Sequence, residues 1–263
     1  MEKIKDVKFY VKSPPVSEPN WIPVAKWVRV RFGNEIIADS KEVMLKRPYP
    51  LVYYFPKSDV KMDFLEKTGR KDEEGDWGIS ELYNLKTEAK EVEGAAFSHE
   101  DPSDDAPEQI KGYIAFKWNE MDAWLEEDEE VLTHPRDPYH RIDVCYSRRH
   151  LKIEIGGVTV AETDRPVMLF ETGLPARYYI PTTDVRLDLL ESTDHRTECP
   201  YKGIASYYSV KINGDERKNI IWTYPFPNNE VMKIKNLMAF FTERLDDVFI
   251  DGERLPRANT KWR

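Results

Sequence analysis

YYFPKSDVKMDFLEKT, residues 53 to 68, returns as YYIPTTDVRLDLLEST at residues 178 to 193. Tyr, Tyr, Pro, Asp, Val, Asp, Leu, Glu and Thr coincide at 9 of 16 positions, at a constant spacing of 125. A match of that length points to a duplicated unit, and a repeat governs every later reading of the fold. The match extends outward. Upstream, GNEIIADSKEVML (33–45) aligns with GGVTVAETDRPVML (156–169) with one inserted residue. Downstream, Gly78 pairs with Gly203, Tyr83 with Tyr208, and AAFSHEDP (95–102) with IIWTYPFP (220–227). IKGYIAF (110–116) then pairs with IKNLMAF (234–240), and Asp122 with Asp246.

Inside each copy the pattern is short and mostly extended. Val28, Val30 and Phe32 alternate with arginines, as Ile153 and Ile155 alternate with charged residues. A period of two marks a strand with one buried face. EIIADS and VTVAET follow Gly turns, so a hairpin opens each copy, and LVYYF and ARYYI read as a third strand. SDVKMDFLEKT then changes period: Val60, Phe64 and Leu65 share a helical face, with Ser58 or Asp59 placed to cap it, as Thr183 or Asp184 is in the second copy. GIASYYSVKI, NIIWTY and DDVFIDGERL predict three more strands, and NNEVMKIKNLMAFF a second short helix. The expectation is an α+β, mainly β protein: two tandem repeats of a small antiparallel-sheet domain, each with one or two short helices, related by a pseudo-two-fold. Residues 1–26, with Pro14, Pro15 and Pro19, read as an N-terminal extension, 27–128 as the first repeat, 129–150 as a linker, and 151–263 as the second repeat.

Composition narrows the function classes. Charged residues make up 33% and hydrophobic residues 40% of 263, which fits a folded globular chain. No apolar run approaches the ~18 residues of a membrane helix, and the N-terminal residues show no secretory h-region. Two cysteines, Cys145 and Cys199, make no disulfide framework, so a reducing cytoplasm is the expected compartment. Residues 66–130 hold 21 acidic against 7 basic side chains, a local charge of −14, whereas residues 1–32 carry +4. An acidic half repels phosphate backbones and argues against nucleic-acid binding. The run EEDEE at 126–130 reads as a solvated turn.

YYIPTTDVRLDLLESTDHRTECPYKGIASYYSV, followed by WTYPFP and VFIDGERLPR, closely resembles the family called domain of unknown function 427 (DUF427). Its marks are an extended P-x-x-D-V stretch, a C-P-x-K-G-x-A-x-Y core, a W-x-Y-P turn and a late A-F…D-G-E segment, matched across 151–257. In the first copy Cys-Pro-Tyr-Lys-Gly gives way to Glu74, Gly75, Asp76, Trp77 and Gly78. The resemblance implies a compact, mainly β fold. Some members carry a nucleotidyltransferase label, but this chain has no G-S motif followed by D-x-D carboxylates.

The most reactive stretch is His195, Arg196, Glu198, Cys199 and Lys202, with Tyr207 close behind. An imidazole, thiol, amine and phenol in one loop supply an acid, a base and an anion clamp. The structural alternative is a small core Cys199, a turn at Pro200 and Gly203, and a Lys202 paired with an acid. Asp184 has two readings, helix cap or catalytic carboxylate. In the pairs Tyr53–Tyr54 and Tyr178–Tyr179, one ring enters the core and the other faces away. Trp222 and Tyr224 beside Pro225 fit a pocket wall or simple packing. Arg47, Arg165 and Arg177 fit carboxylate binding or a surface role. His134, His140, Asp143, Cys145 and His150 gather in the linker, but in no compact zinc spacing. No G-x-S-x-G elbow and no phosphate-cradling Gly-rich loop occurs.

Because the second copy keeps the polar cluster, the sequence favours an enzyme with its pocket there or between the repeats. It would use no metal or cofactor and act on a small oxygenated molecule by lyase, isomerase, cyclase or hydrolase chemistry. His195 would be the acid or base, Tyr179 or Tyr207 the proton donor, and Lys202 or Arg177 the anion clamp. Asp184 is a further catalytic candidate, with Cys199, Trp222, Tyr224, Arg47 and Tyr54 lining the substrate. The alternative is a non-catalytic small-molecule-binding or scaffold protein. The oligomeric state is left open, with a monomer built as an internal pseudo-dimer one option.

Overall fold

The computed structural model describes residues 20–72 and 77–257, so Glu74, Gly75, Asp76 and most of the expected extension lie outside the described residues. Two compact units meet in sequence between Asp137 and Pro138. The first contains β1 (Trp21–Pro23), β2 (Val28–Phe32), β3 (Glu35–Ser40), β4 (Met44–Lys46), β5 (Val52–Pro56), β6 (Leu65–Asp72), β7 (Gly78–Lys86), β8 (Glu91–Pro102), β9 (Tyr113–Phe116), β10 (Ala123–Glu126) and β11 (Glu129–Glu130). The second contains β12 (Ile142–Tyr146), β13 (Leu151–Ile155), β14 (Val158–Thr163), β15 (Val167–Glu171), β16 (Arg177–Ile180), β17 (Leu190–Cys199), β18 (Gly203–Ile212), β19 (Asp215–Thr223), β20 (Met238–Phe240), β21 (Asp247–Ile250) and β22 (Glu253–Arg254).

The strand orders are the same in both units. A seven-stranded sheet runs β1-β4-β5-β9-β8-β7-β6 in one and β12-β15-β16-β20-β19-β18-β17 in the other. A four-stranded sheet runs β11-β10-β2-β3 and β22-β21-β13-β14. Each strand of the first copy thus has one counterpart in the second, and the chain is mainly β as expected. β1 lies within the expected extension and β12 within the expected linker, yet each is an edge strand of its unit's large sheet.

The alternating apolar residues decide how the sheets pack. Val28, Val30 and Phe32 from the small sheet meet Leu45, Tyr53, Phe55, Leu85 and Ile114 from the large one in one core. Leu151, Ile153 and Val160 likewise meet Met168, Tyr178, Ile180 and Phe240. Each fully buried Leu, Ile or Phe contributes roughly 1.5–3 kcal/mol, so the shared face between the sheets stabilises each copy. The outer face of each large sheet carries a second, smaller cluster.

Two expectations change. The expected short helices are present, but as 3-10 helices, and the one read over 58–68 is split in two in each copy: Lys57–Asp59 and Met62–Phe64, Thr182–Asp184 and Leu187–Leu189, with Asn229–Ile234 as the later helix. The cause lies at Val60 and Val185. Both take extended angles (φ −118° and −119°) and bridge to Ala38 and Ala161, so the backbone straightens between two tight turns. No side chain caps these turns. Asp59 instead accepts from Ser40 Oγ at 2.6 Å and Asp184 from Thr163 Oγ1 at 2.7 Å, tying the turn to the hairpin in both copies.

The second change is register. Met44 faces Tyr54 and Val167 faces Tyr179, so the counterpart of Leu45 is Met168, not Leu169. The copies run at a spacing of 123 through β4 and 125 from β5, and the extra residues of the second copy fall in the β15–β16 connection. The identical letters V-M-L hid the slip, which exchanges inward for outward side chains.

Candidate functional site

On the outer face of the first copy's large sheet lies a cleft of about 240 Å³. Strand pleating places its walls. Tyr54 projects outward because Tyr53, its neighbour, enters the core. Ser80 and Leu82 on β7 and Phe97 and His99 on β8 line the same face, and Val52, Lys46, Pro50, Asp72, Trp77 and Lys117 complete the wall. Gly78 opens β7 with φ +88°, and a side chain there would begin 2.8 Å from the backbone nitrogen of Ser103. Gly203 repeats the feature at φ +97°, with Phe226 O 3.0 Å away. Only glycine combines that torsion with that approach.

Two titratable rings meet at the base of the cleft. His99 Nε2 and Tyr54 Oη are 3.1 Å apart, with 3% and 2% of the residues exposed. His99 Nδ1 is buried and has no hydrogen-bond partner among the described residues. Burial pushes the imidazole below its ordinary pKa, so it stays neutral near pH 7. A neutral imidazole with one engaged and one unengaged nitrogen, hydrogen-bonded to a phenol, has the chemical means to pass a proton. Trp77 and Phe97 pack around Tyr54 at 5.9 Å centroid distances, and the Lys46 ammonium stands 5.9 Å from the Trp77 ring.

At most of the register-equivalent positions the second copy carries bulkier side chains that pack on one another. Arg177 stands for Val52, Tyr207 for Leu82, Trp222 for Phe97, Tyr224 for His99, and Phe241 for Lys117. Trp222 packs on Phe241 at 4.6 Å, and the Arg177 guanidinium lies 5.6 Å from the Trp222 ring. Arg177 donates to Glu243 at 2.6 and 2.7 Å in a bidentate pair buried from solvent. Lys202 takes the place of Trp77 and donates to Glu171 at 2.5 Å. His140 Nε2 is 2.9 Å from the other oxygen of Glu171 and stacks on Tyr201. These partners hold the buried Glu171 carboxyl at about 2, against the opposing effect of burial.

The residues singled out from sequence therefore separate. Tyr54 lines the cleft. Tyr179, Tyr207, Trp222 and Tyr224 form the second copy's outer-face cluster, where Trp222 Nε1 donates to Tyr179 Oη at 3.3 Å and Tyr207 Oη meets Thr197 Oγ1 at 2.8 Å. Burial raises the pKa of Tyr179 and Tyr224. His195 is exposed on β17 with its ring 4.6 Å from that of Tyr207, and Cys199 ends the same strand as a half-buried free thiol. Asp184 is held by Arg165 and Thr163, which lowers its pKa to about 2. Arg47 is buried in the first copy and donates to Asp137 at 2.8 and 3.0 Å. The linker histidines have separate partners: His134 meets Pro135 O, His140 Glu171, and His150 Glu162.

His99, Trp77 and Lys117 escaped the sequence reading, as did Glu171 and Glu243. The aligned pair AAFSHEDP and IIWTYPFP carried a signal for His99, which falls opposite Tyr224 and shares strand parity with Phe97. Among the described residues no helix is long and apolar enough to cross a membrane.

A search of curated proteins finds no match to the chain. A family model, described as domain of unknown function (DUF427), matches it twice, over residues 21–127 and 143–251. Those spans take in both edge strands, β1 and most of β12, and leave out β11 and β22. The chain belongs to the DUF427 family, and carries its domain in tandem.

Proposed function

We propose that this protein is a small-molecule enzyme whose working site is the cleft of the first copy, with Tyr54 and His99 as its proton-transfer pair. The observation that carries the reading is the contrast between copies: one strand framework presents an open cleft with a buried His–Tyr pair, and the other packs the same face with Tyr, Trp, Phe and an Arg–Glu pair. A proton leaving a bound oxygenated molecule passes to Tyr54 Oη as Tyr54 gives its own to His99 Nε2, and the reverse transfer returns it. Isomerase- or lyase-type proton shifts suit a pair that both takes and returns a proton. The second copy, favoured from sequence, has Lys202 committed to Glu171 and Arg177 to Glu243. Two free cysteines support a reducing, cytoplasm-like compartment, and the acidic first half supports a small-molecule partner over a nucleic acid.

The test is a fragment screen by ligand-observed NMR on wild type and on Leu82→Tyr, which installs the second copy's ring in the cleft. Fragments that bind wild type are expected to lose binding to Leu82→Tyr and to keep it with His195→Ala. Binding that survives Leu82→Tyr but is lost with His195→Ala moves the site to the second copy and overturns the proposal.

A further inference from the structure

The lining of the first copy's cleft also bears on what it takes. We infer that the ligand is a compact monoanion, a carboxylate on a planar apolar body, with Lys117 as the residue that selects the charge; this rests on the cleft being the working site.

Size comes first. At about 240 Å³ the cleft falls below the roughly 300–1,000 Å³ typical of drug-sized sites, so the guest is small. Its body is apolar: Val52, Leu82, Phe97, Trp77 and the ring of Tyr54 form most of the wall, and aromatic faces favour a flat partner.

Charge comes next. The lining holds two lysines and one aspartate, and His99 is neutral. Lys46 already has Pro50 O at 3.4 Å and the Trp77 ring beside it. Lys117 differs. It follows β9, is exposed, and its ammonium has no hydrogen bond or ion pair among the described residues. Its Nζ crosses β8, 3.8 Å from where a side chain on Gly94 would begin. The second copy has Phe241 at the equivalent place, inside its filled cluster. A cation at the rim of an apolar cleft, left without a carboxylate among the described residues, completes its pairing with a carboxylate that enters.

The acidic surroundings set the upper limit on ligand charge. Residues 66–130 carry −14 overall, a field screened beyond about 8 Å at physiological ionic strength. One carboxylate placed at Lys117 gains a close pair, whereas a phosphate-rich ligand extends its charge into that field and is repelled. Asp72 reinforces the limit from the cleft wall.

Three probes of nearly equal shape separate the possibilities: benzoate, benzamide and benzylammonium. Each is titrated into the full chain while the Trp77 indole N–H, assigned through Trp77→Phe, is followed by NMR, on wild type, Lys117→Met and Leu82→Tyr. Benzoate is expected to bind wild type at least tenfold more tightly than either other probe. Lys117→Met is expected to erase that preference and leave benzamide binding unchanged. Leu82→Tyr is expected to abolish the response to all three. Equal affinities, or benzylammonium as the tightest probe, overturn the anion assignment while leaving the cleft as a binding site. No movement of Trp77 with any probe overturns the assignment together with the reading beneath it. A benzoate preference retained by Lys117→Met removes Lys117 from the account.

Discussion

Removing Arg177 is expected to damage the second copy more than any surface change, because of what it leaves behind. Glu243 is 1% exposed and Arg177 9%, and two short bonds of 2.6 and 2.7 Å join them. Arg177→Met keeps the apolar stem against Trp222 and Phe241 but strips the guanidinium from a carboxylate that water does not reach. Breaking one side of a buried pair costs about 3–5 kcal/mol, since the remaining charge is uncompensated. For a unit of this size each kcal/mol moves the midpoint by roughly 3–5 °C, so a fall of about 10–20 °C is expected by calorimetry. The double change Arg177→Met with Glu243→Leu removes both charges. It is expected to recover to within about 1 kcal/mol of wild type, or to exceed it, because the pair's desolvation cost disappears with the pair. The first copy already has apolar Val52 and uncharged Asn119 at the two positions. A single variant costing under about 1 kcal/mol, or a double variant no better than the single, would refute the claim that this pair is a desolvated, interdependent unit.

Three further outcomes follow from the same structure. Glu171 is held at about 2 by His140 and Lys202, below its ordinary 4.5, so its contribution is complete above pH 4.5 and lost as pH falls toward 2. By linkage that is on the order of 3 kcal/mol, and denaturation midpoints measured from pH 6 down to pH 3 should fall less for Glu171→Gln than for wild type; parallel curves would contradict the network. His99 is lowered by burial, so its Cε1–H resonance should titrate below the ordinary imidazole midpoint of 6.5, and a midpoint above 6.5 would mean the ring is solvated or paired with an anion. Gly78→Ala and Gly203→Ala place a methyl at positive φ within 2.8 and 3.0 Å of backbone atoms, which should cost more than about 1 kcal/mol each; urea midpoints unchanged in either variant would show that the backbone accommodates it.

Much of the architecture was legible because strand pleating writes itself into alternation. Val28, Val30 and Phe32 announced their strand, and the pairs Tyr53–Tyr54 and Tyr178–Tyr179 divide between core and outer face as that period requires. The repeat by itself marks the tandem domains. Two features were not legible, for physical reasons. Val60, Phe64 and Leu65 have helical spacing, but the bridge of Val60 to Ala38 depends on a strand brought near only by the fold. The cleft depends on side-chain volume at positions from β5, β7 and β8 that come together only across the sheet. Leu82 opposite Tyr207 and Val52 opposite Arg177 decide it, while the chemically dense run from His195 to Lys202 lies in the other copy, where Lys202 and Arg177 are already paired. Three letters shared by chance, V-M-L, were enough to misplace one strand by a residue.

The most direct measurement is the set of tryptophan indole N–H signals during titration with a fragment that binds. Trp77 stands in the open cleft, and Trp222, bonded to Tyr179, stands at the matching face of the other copy. Movement of Trp77 with Trp222 stationary is the predicted result. Movement of Trp222 with Trp77 stationary would place the guest in the second copy and contradict the account.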